Sequence, residues 1–191
     1  DYAAEIAAVQ NAKPDALFVF YPGGVGVNFV RQLNQAGLMG KLPFLSESLI
    51  DSNSLAALKQ QAVGSIFGTP WAPVLDNPQN KKFVSGYEAK YNRPPTEYAA
   101  AAYDAAYLLD AAIAKLGGKV SDKKAFAATV KELGSKFPSV RGKFAFNNNN
   151  VAIQNYYAYE IVQNGDGVGY KLLAQVLTDH KDAYAAECPL K

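Results

Sequence analysis

Apolar residues recur along this chain in two periods, and the places where the period changes mark out its elements. Tyr2, Ile6 and Val9 are spaced by four and then three, which predicts a helix that Pro14 stops. Residues 16–21, ALFVFY, form an unbroken apolar run, the pattern of a strand buried on both faces. After a glycine turn, Phe29, Val30, Leu33 and Ala36 share one helical face, while Arg31, Gln32, Asn34 and Gln35 share the other. Gly37 stands where a helix C′ residue is expected. LPFLS and GSIFGTPW read as two further strands, with a short helix over residues 53–59 between them. Strands alternating with helices predict a parallel sheet carrying helices on its faces.

The middle of the chain predicts three helices. Asn77 and Pro78 form an N-cap and first-position pair, followed by Phe83, Tyr87 and Tyr91 at intervals of four. Thr96 is placed to cap the alanine-rich EYAAAAYDAAYLLDAAIAKL, whose helix propensity is high and which ends at Gly117-Gly118. Ser121 is expected to cap a third helix, with Phe126, Val130 and Leu133 inward and Gly134 at its close. Beyond it, GKFAF, YYAYEIV and YKLLAQVL are short strand candidates, separated by the turn signals NNNN and NGDG. With no internal repeat and no linker composition, residues 1–191 are expected to form one compact unit.

Composition narrows the functional classes. Charged residues are 19% and hydrophobic residues 49%, which is globular and not disordered. Nineteen Lys and Arg against seventeen Asp and Glu leave a net +2, too balanced to argue for nucleic acid or a membrane surface as partner. The long uncharged stretches are broken by Pro and Gly and are too short to span a bilayer. The chain opens with DYAAEIAAVQ, without Met or a signal-like apolar region, so we expect a removed leader or a piece of something longer. Cys188 has no second cysteine to pair with internally. Either it has a partner outside this chain or it is a free, inert thiol.

The stretch FVFYPGGVGVNF invites comparison with a dinucleotide loop. Gly24, Gly26 and Glu47 fit the first two glycines and the distal acid of that fingerprint, but Phe29 stands where the third glycine belongs. No Gly-Lys-Ser/Thr follows, so a Walker loop is excluded. The glycines then serve a tight strand-to-helix turn, with or without a ligand beside it. In open parallel sheets ligands sit beyond the carboxyl ends of the strands. Those ends here carry Tyr21 and Gly23, then Ser46, Glu47 and Ser48, then Trp71, a group of rings and polar side chains suited to a small organic ligand. His180, the sole histidine, lies far along the chain from any strand-end serine, so catalysis is not expected. One Cys and one His without ligand spacing make no zinc site, and no calcium ladder is present. The tyrosines at 87, 91, 98, 103 and 107, without basic clustering, are expected in helix packing and not as a base-stacking platform.

At this point several segments resemble one family. NAKPDALFVFYPGG, FVRQLNQAGL, the stretch from LDNPQN to LLDAAI, and VRGKFAFNNNN are similar to the periplasmic substrate-binding proteins of branched-chain amino-acid-type ABC transporters. The likeness runs from about Ala3 to the end. The K-P-D-A strand entry, the Y-A-A-x-A-Y-D-A-A helix and the R-G-x-F-x-F-N hairpin are its most specific parts. AIQNYYAYEIV and TDHKDAYAAEC resemble a subgroup associated with aromatic acids, hydroxybenzoates and phenylpropanoids, more than the amino-acid binders proper.

The resemblance implies an α/β fold: a parallel-sheet, three-layer lobe of a type I periplasmic binding protein, with flavodoxin-like strand order and short C-terminal strands. Residues 1–140 would be the lobe core and residues 141–191 the crossing strands and tail. The first lobe, with the opening strand of this one, would lie upstream of Asp1, where Cys188 would find its partner. A lone lobe is expected to associate through the face that normally meets the other.

The implied function is non-enzymatic and needs no cofactor: a periplasmic receptor that closes two lobes on a small carboxylate and presents the closed form to a permease in the inner membrane. The family's ligand contacts fall on Tyr21, Glu47 and Tyr98, although LSES departs from the P-E-G usual at the acid. In amino-acid binders that acid holds the ligand ammonium; with an aromatic acid it would accept a phenolic hydroxyl or face away. Trp71, Gly23, Ser46 and Ser48 join the candidate contacts through the strand-end argument. A branched-chain or other amino acid is the alternative ligand, and a dinucleotide-binding domain or a sensor ectodomain the alternatives of other classes.

Overall fold

The computed structural model of the chain describes residues 1–47 and 49–189. It contains two compact units: Asp1–Val74 with Tyr157–Ala174, and Leu75–Tyr156 with Gln175–Lys191.

The first unit alternates as the sequence predicts. Helix α1 (Ala3–Ala12) leads to strand β1 (Leu17–Val19), α2 (Gly24–Gln35), β2 (Phe44–Glu47), α3 (Ser52–Leu58), a 3-10 turn (Lys59–Ala62) and β3 (Ser65–Thr69). The short helix begins one residue before the expected range because Asp51 caps it: its carboxylate accepts from the Ser54 N–H at 2.7 Å, and the Ser54 hydroxyl oxygen accepts in return from the Asp51 N–H. β1, β2 and β3 lie side by side in chain order and are parallel, with Val19, Ser46 and Phe67 in one cross-strand row. The next neighbour, β5 (Ala152–Asn164), runs antiparallel and puts Tyr159 beside Phe67.

Burial across this sheet is one-sided. Val19, Phe44, Ser46, Ser65, Phe67, Tyr159 and Ile161 are buried on one face, where α2 adds Phe29, Val30 and Leu33. On the other face Phe18 is 68% exposed and Phe20 58%. The unbroken apolar run at 16–21 therefore does not report a strand buried on both faces; within it only Val19 is buried.

The second unit is built on α4 (Pro78–Tyr91), α5 (Glu97–Lys115) and α6 (Lys123–Gly134), followed by β4 (Phe144–Phe146), which pairs antiparallel with the start of β5. The caps expected at Asn77 and Thr96 are present: each side chain accepts from the N–H three residues on, at 2.8 and 3.2 Å. The third cap is a correction. Asp122, not Ser121, holds the start of α6: the helix opens at Lys123, which puts Asp122 at the N-cap, and its Oδ1 accepts from the Lys124 and Ala125 N–H groups. The expected tyrosine packing along α4 and α5 is seen in part: Tyr91, Tyr87, Phe83 and Tyr103 stand in sequence at ring separations of 4.5, 5.8 and 4.7 Å, whereas Tyr98 is largely exposed.

The C-terminal strands are not short. β5 has 13 residues and β6 (Gly167–His180) has 14, joined by the tight NGDG turn, and both run through the two units. Polar positions such as Asn155 and Glu160 do not end β5: both are only half-buried, Glu160 lies on the face opposite Tyr159, and Asn155 Oδ1 accepts from the Asp179 N–H at 2.9 Å.

Asp104 and Arg141, which tie the second unit together, belong to two of the three segments most specific to the family resemblance. Asp104, from YDAA, is buried, and its carboxylate accepts from Ser139 Oγ at 2.6 Å, the Val140 N–H at 3.0 Å and Arg141 Nε at 3.2 Å. Arg141, from RGKF, also donates to Gln154 Oε1 at 3.1 Å and lies 4.6 Å over the Phe144 ring. The α5 helix and the β4–β5 hairpin are locked by one buried, fully bonded acid.

Candidate functional site

The carboxyl ends of β1, β2 and β3 meet at one edge of the first unit, where the sequence placed its candidates. Beyond β1 the backbone turns through Gly23 at φ 70°, ψ −146°, a conformation that only glycine adopts without strain. The Gly23 carbonyl then accepts from the Gly26 N–H at 3.1 Å and opens α2. Gly26 is required for a different reason: a Cβ there would collide with the Tyr21 carbonyl oxygen and stand 2.8 Å from Leu49 Cγ. The glycines let the helix fold back onto the strand end. Phe29, at the third fingerprint position, is 3% exposed and fills the core beneath that turn.

Tyr21 is half-buried, and its ring is pinned. Tyr2 lies 5.6 Å away and Phe29 5.3 Å, while Tyr2 and Phe29 meet edge-to-face at 5.3 Å. Tyr2 is itself fixed, its hydroxyl donating to the Val25 carbonyl and its N–H to Gln32 Oε1. Three interlocked rings leave Tyr21 little rotamer freedom, which makes its exposed surface a rigid platform.

The other candidates divide between the two sides of the sheet. Ser46 lies on the covered face, 3% exposed, and its hydroxyl has no hydrogen-bond partner among the described residues. Glu47, the next residue, is exposed on the open face. Ser48 lies outside the described residues. Trp71 is 2% exposed, so its indole packs behind the edge and not along it. Its backbone is fixed by Thr69, whose Oγ1 donates to the Trp71 carbonyl at 3.0 Å and accepts from the Trp71 N–H at 3.3 Å. Tyr98 belongs to the second unit, 71% exposed in the first turn of α5.

Sequence reasoning did not single out Tyr159 and Tyr170, which complete the aromatic layer under this edge. Tyr159 stacks on Phe67 at 5.7 Å, and Tyr170 meets the same ring edge-on at 5.9 Å. The Tyr159 hydroxyl is buried without a partner among the described residues, and burial pushes its pKa up, with Tyr157 adding to the effect. Burial also pushes the Tyr170 hydroxyl up to about 12; its 3.3 Å hydrogen bond to Ser52 opposes the shift and the nearby Asp51 adds to it. The aromatic run YYAYEIV carried a signal for Tyr159, since alternation puts Tyr157, Tyr159 and Ile161 on one face.

Among the described residues no group of three or more His, Cys, Asp or Glu could hold a metal ion, and no helix is long and apolar enough to cross a membrane. His180 packs edge-on against Tyr156 at 5.5 Å. Among the described residues the edge brings together a pinned ring, a buried hydroxyl and an exposed carboxylate.

Sheet and helices together are of the open, mixed α/β class. The family model for periplasmic binding proteins matches residues 1–166, and the chain belongs to that family, whose members bind solutes and are not enzymes. The chain is 27% identical over 188 residues to a Leu/Ile/Val-binding protein homologue of Brucella melitensis, covering 95% of this chain and 47% of the relative. A Rhodopseudomonas palustris ABC-transporter solute-binding protein, solved with 3,4-dihydroxybenzoic acid, is 28% identical with a TM-score of 0.84, covering 96% of this chain and 50% of that one. A leucine-binding protein of Thermotoga maritima is 25% identical with a TM-score of 0.75, covering 91% and 48%. These likenesses extend to the mixed α/β fold with an open sheet expected of a type I periplasmic binding protein. The chain spans about half the length of the relatives it matches.

Proposed function

We infer that this chain is part of the solute-binding component of an ABC importer, working outside the cytoplasmic membrane, and that its ligand is a small aromatic carboxylate of the hydroxybenzoate or phenylpropanoid type. The observation that carries the reading is the pinned Tyr21 platform at the strand ends of a chain similar to a dihydroxybenzoate-binding protein. A fixed ring offers stacking area to another ring at little entropic cost. Gly23 leaves the backbone open beside it, with nothing within 4 Å of a would-be Cβ. Glu47, exposed at the next strand end, accepts a hydrogen bond from the phenolic hydroxyl of such a ligand. Ser46 and Trp71 act from behind, as packing that holds the edge in shape. Tyr98 is a separate candidate contact carried by α5.

The partners are then the ligand, the remainder of the same protein, and a membrane permease. A second reading, an amino acid such as leucine, is favoured by one feature: an exposed carboxylate at Glu47 suits a ligand ammonium. The test is a thermal-shift titration of the longer protein with 4-hydroxybenzoate, coumarate, leucine and NAD, followed in parallel by Trp71 emission. A ligand at roughly 100 times its Kd stabilises the native state by about 2.7 kcal/mol. A shift with the aromatic acids and none with leucine supports the first reading. A shift with leucine alone replaces it with the second, and a response to NAD alone overturns both.

A further inference from the structure

The turn that joins β5 to β6 reads Asn164-Gly165-Asp166-Gly167, and all four residues are exposed. Of the asparagines in the chain, Asn164 alone precedes a glycine. That order matters because an asparagine carboxamide reaches the backbone nitrogen of the next residue, and closure between them makes a five-membered ring. A side chain on the next residue obstructs the approach; glycine has none, and its backbone turns freely. Gly165 sits at φ 54°, with nothing within 4 Å of the place a Cβ would take. The Asn164 carboxamide rests against Gly169, which has no side chain to hold it. Neither that carboxamide nor the Gly165 N–H makes a hydrogen bond among the described residues. The turn is held through its carbonyls instead: Gly165 accepts from Gln163 Nε2 at 2.6 Å, and Gly167 from Gln60 Nε2 at 3.3 Å. The asparagine run at 147–150 is the contrast. Asn147 Oδ1 accepts from the Asn148 N–H, while Asn148 and Asn149 donate from Nδ2 to the Ala185 carbonyl and Asp182 Oδ2 at 2.9 and 2.6 Å. Every member of that run is followed by a residue with a Cβ.

We propose that Asn164 is a site of spontaneous deamidation, a covalent modification whose only co-reactant is water. Base takes the proton from the Gly165 N–H, and the nitrogen attacks Asn164 Cγ. The N–Cγ bond forms as the Cγ–Nδ2 bond breaks, and the leaving nitrogen takes up a proton and departs as ammonia. Water then opens the succinimide at one of its two carbonyls. Opening at Cγ leaves aspartate; opening at the backbone carbonyl leaves isoaspartate, with the main chain rerouted through the side chain. Either product puts a new carboxylate two residues from Asp166, and isoaspartate also lengthens the main chain where Gln163 and Gln60 hold the turn. β5 runs antiparallel to β3, so the turn lies beyond Ser65, at the other end of the strands from Tyr21 and Glu47. Ligand binding at that edge plays no part in the reaction.

The test incubates the longer protein, folded, at neutral and mildly alkaline pH, and follows peptide masses and released ammonia with time. The peptide carrying residue 164 should gain the mass of an amide-to-acid conversion at least ten-fold faster than the peptide carrying residues 147–150. Its rate should rise with pH, and the product should contain isoaspartate, detected by methylation with an isoaspartyl methyltransferase. Gly165→Ala should slow the conversion at least ten-fold. Because alanine is strained at a positive φ, Asn164→Gln is the second variant: it leaves Gly165 in place but must close a larger ring, and it should slow ammonia release from this peptide at least as much. An intact Asn164 while residues 147–150 convert overturns the proposal. So does conversion at an unchanged rate in both variants, or conversion seen only in urea, which would mean that the folded hairpin keeps the carboxamide from Gly165.

Discussion

Removing the Asp104 carboxylate should unfold the second unit far more readily than its one-residue scale suggests. The side chain of Asp104 is 2% exposed and that of Arg141 17%, so solvent repays little of what the substitution takes away. Asp104→Ala leaves a nearly buried guanidinium without its counter-charge, and it leaves the Val140 N–H and the Ser139 hydroxyl without an acceptor. Breaking a buried pair by deleting one partner costs about 3–5 kcal/mol, and for a chain of this length such a loss lowers Tm by on the order of 10 °C. Asp104→Asn keeps an acceptor for Val140 and should cost about half as much, because it loses the charge but not the geometry. The assay is urea denaturation followed by far-UV circular dichroism, run as a double-mutant cycle with Arg141→Met. The cycle should give a coupling above about 1.5 kcal/mol, since Asp104→Ala does less harm once no buried cation remains. A cost below about 1 kcal/mol for Asp104→Ala, or additive single and double variants, would refute the view that this acid locks α5 to the hairpin.

Two further predictions come from the first unit. Gly26→Ala should destabilise by about 1–3 kcal/mol, as overpacking does, although alanine normally favours a helix interior over glycine; the opposite sign in thermal denaturation would mean that the turn relaxes away from Tyr21 at no cost. In an alkaline titration followed by tyrosinate absorbance, Tyr170 should ionise near 12 and not at its ordinary 10.0. Its folded pKa is raised, so its contribution to stability is intact below about 10 and is lost as the pH climbs toward 12. Ser52→Ala removes a bond that opposes the shift and should move this ionisation higher still; a midpoint near 10 in either protein would show the hydroxyl to be hydrated.

Much of this architecture is legible in the sequence, and the misses have physical causes. Caps and turn residues placed α2, α4 and α5 well because they act within a few residues, as Asn77 and Thr96 do. Asp122 and Ser121 are both good caps, and only the backbone decides between neighbours. Apolar runs located β1–β3 but not their covered face: Phe18 and Phe20 are as apolar as Val19, and period alone cannot tell which side a helix layer takes. The same ambiguity separates the candidate contacts, since the strand-end rule finds Ser46 and Glu47 together and the pleat sends one inward and the other out. The expectation of one unit over residues 1–191 had no signal to work against. Two of the three boundaries between the units fall inside uninterrupted strands, β5 and β6, where no linker composition marks them, and the third falls in the short loop between β3 and α4. The lock at Asp104 was present as two separate motifs 37 residues apart, and only the fold brings them together.

The central claim is that the strand-end edge with Tyr21 recognises an aromatic acid. Isothermal titration calorimetry of the longer protein with 4-hydroxybenzoate and with leucine, repeated on Tyr21→Ala, tests it most directly. Saturable binding of 4-hydroxybenzoate is expected, at least ten-fold tighter than leucine, with a loss of about 1–3 kcal/mol, of the size of an aromatic ring contact, when the Tyr21 ring is removed. Tighter binding of leucine, or 4-hydroxybenzoate binding that Tyr21→Ala leaves unchanged, would contradict it.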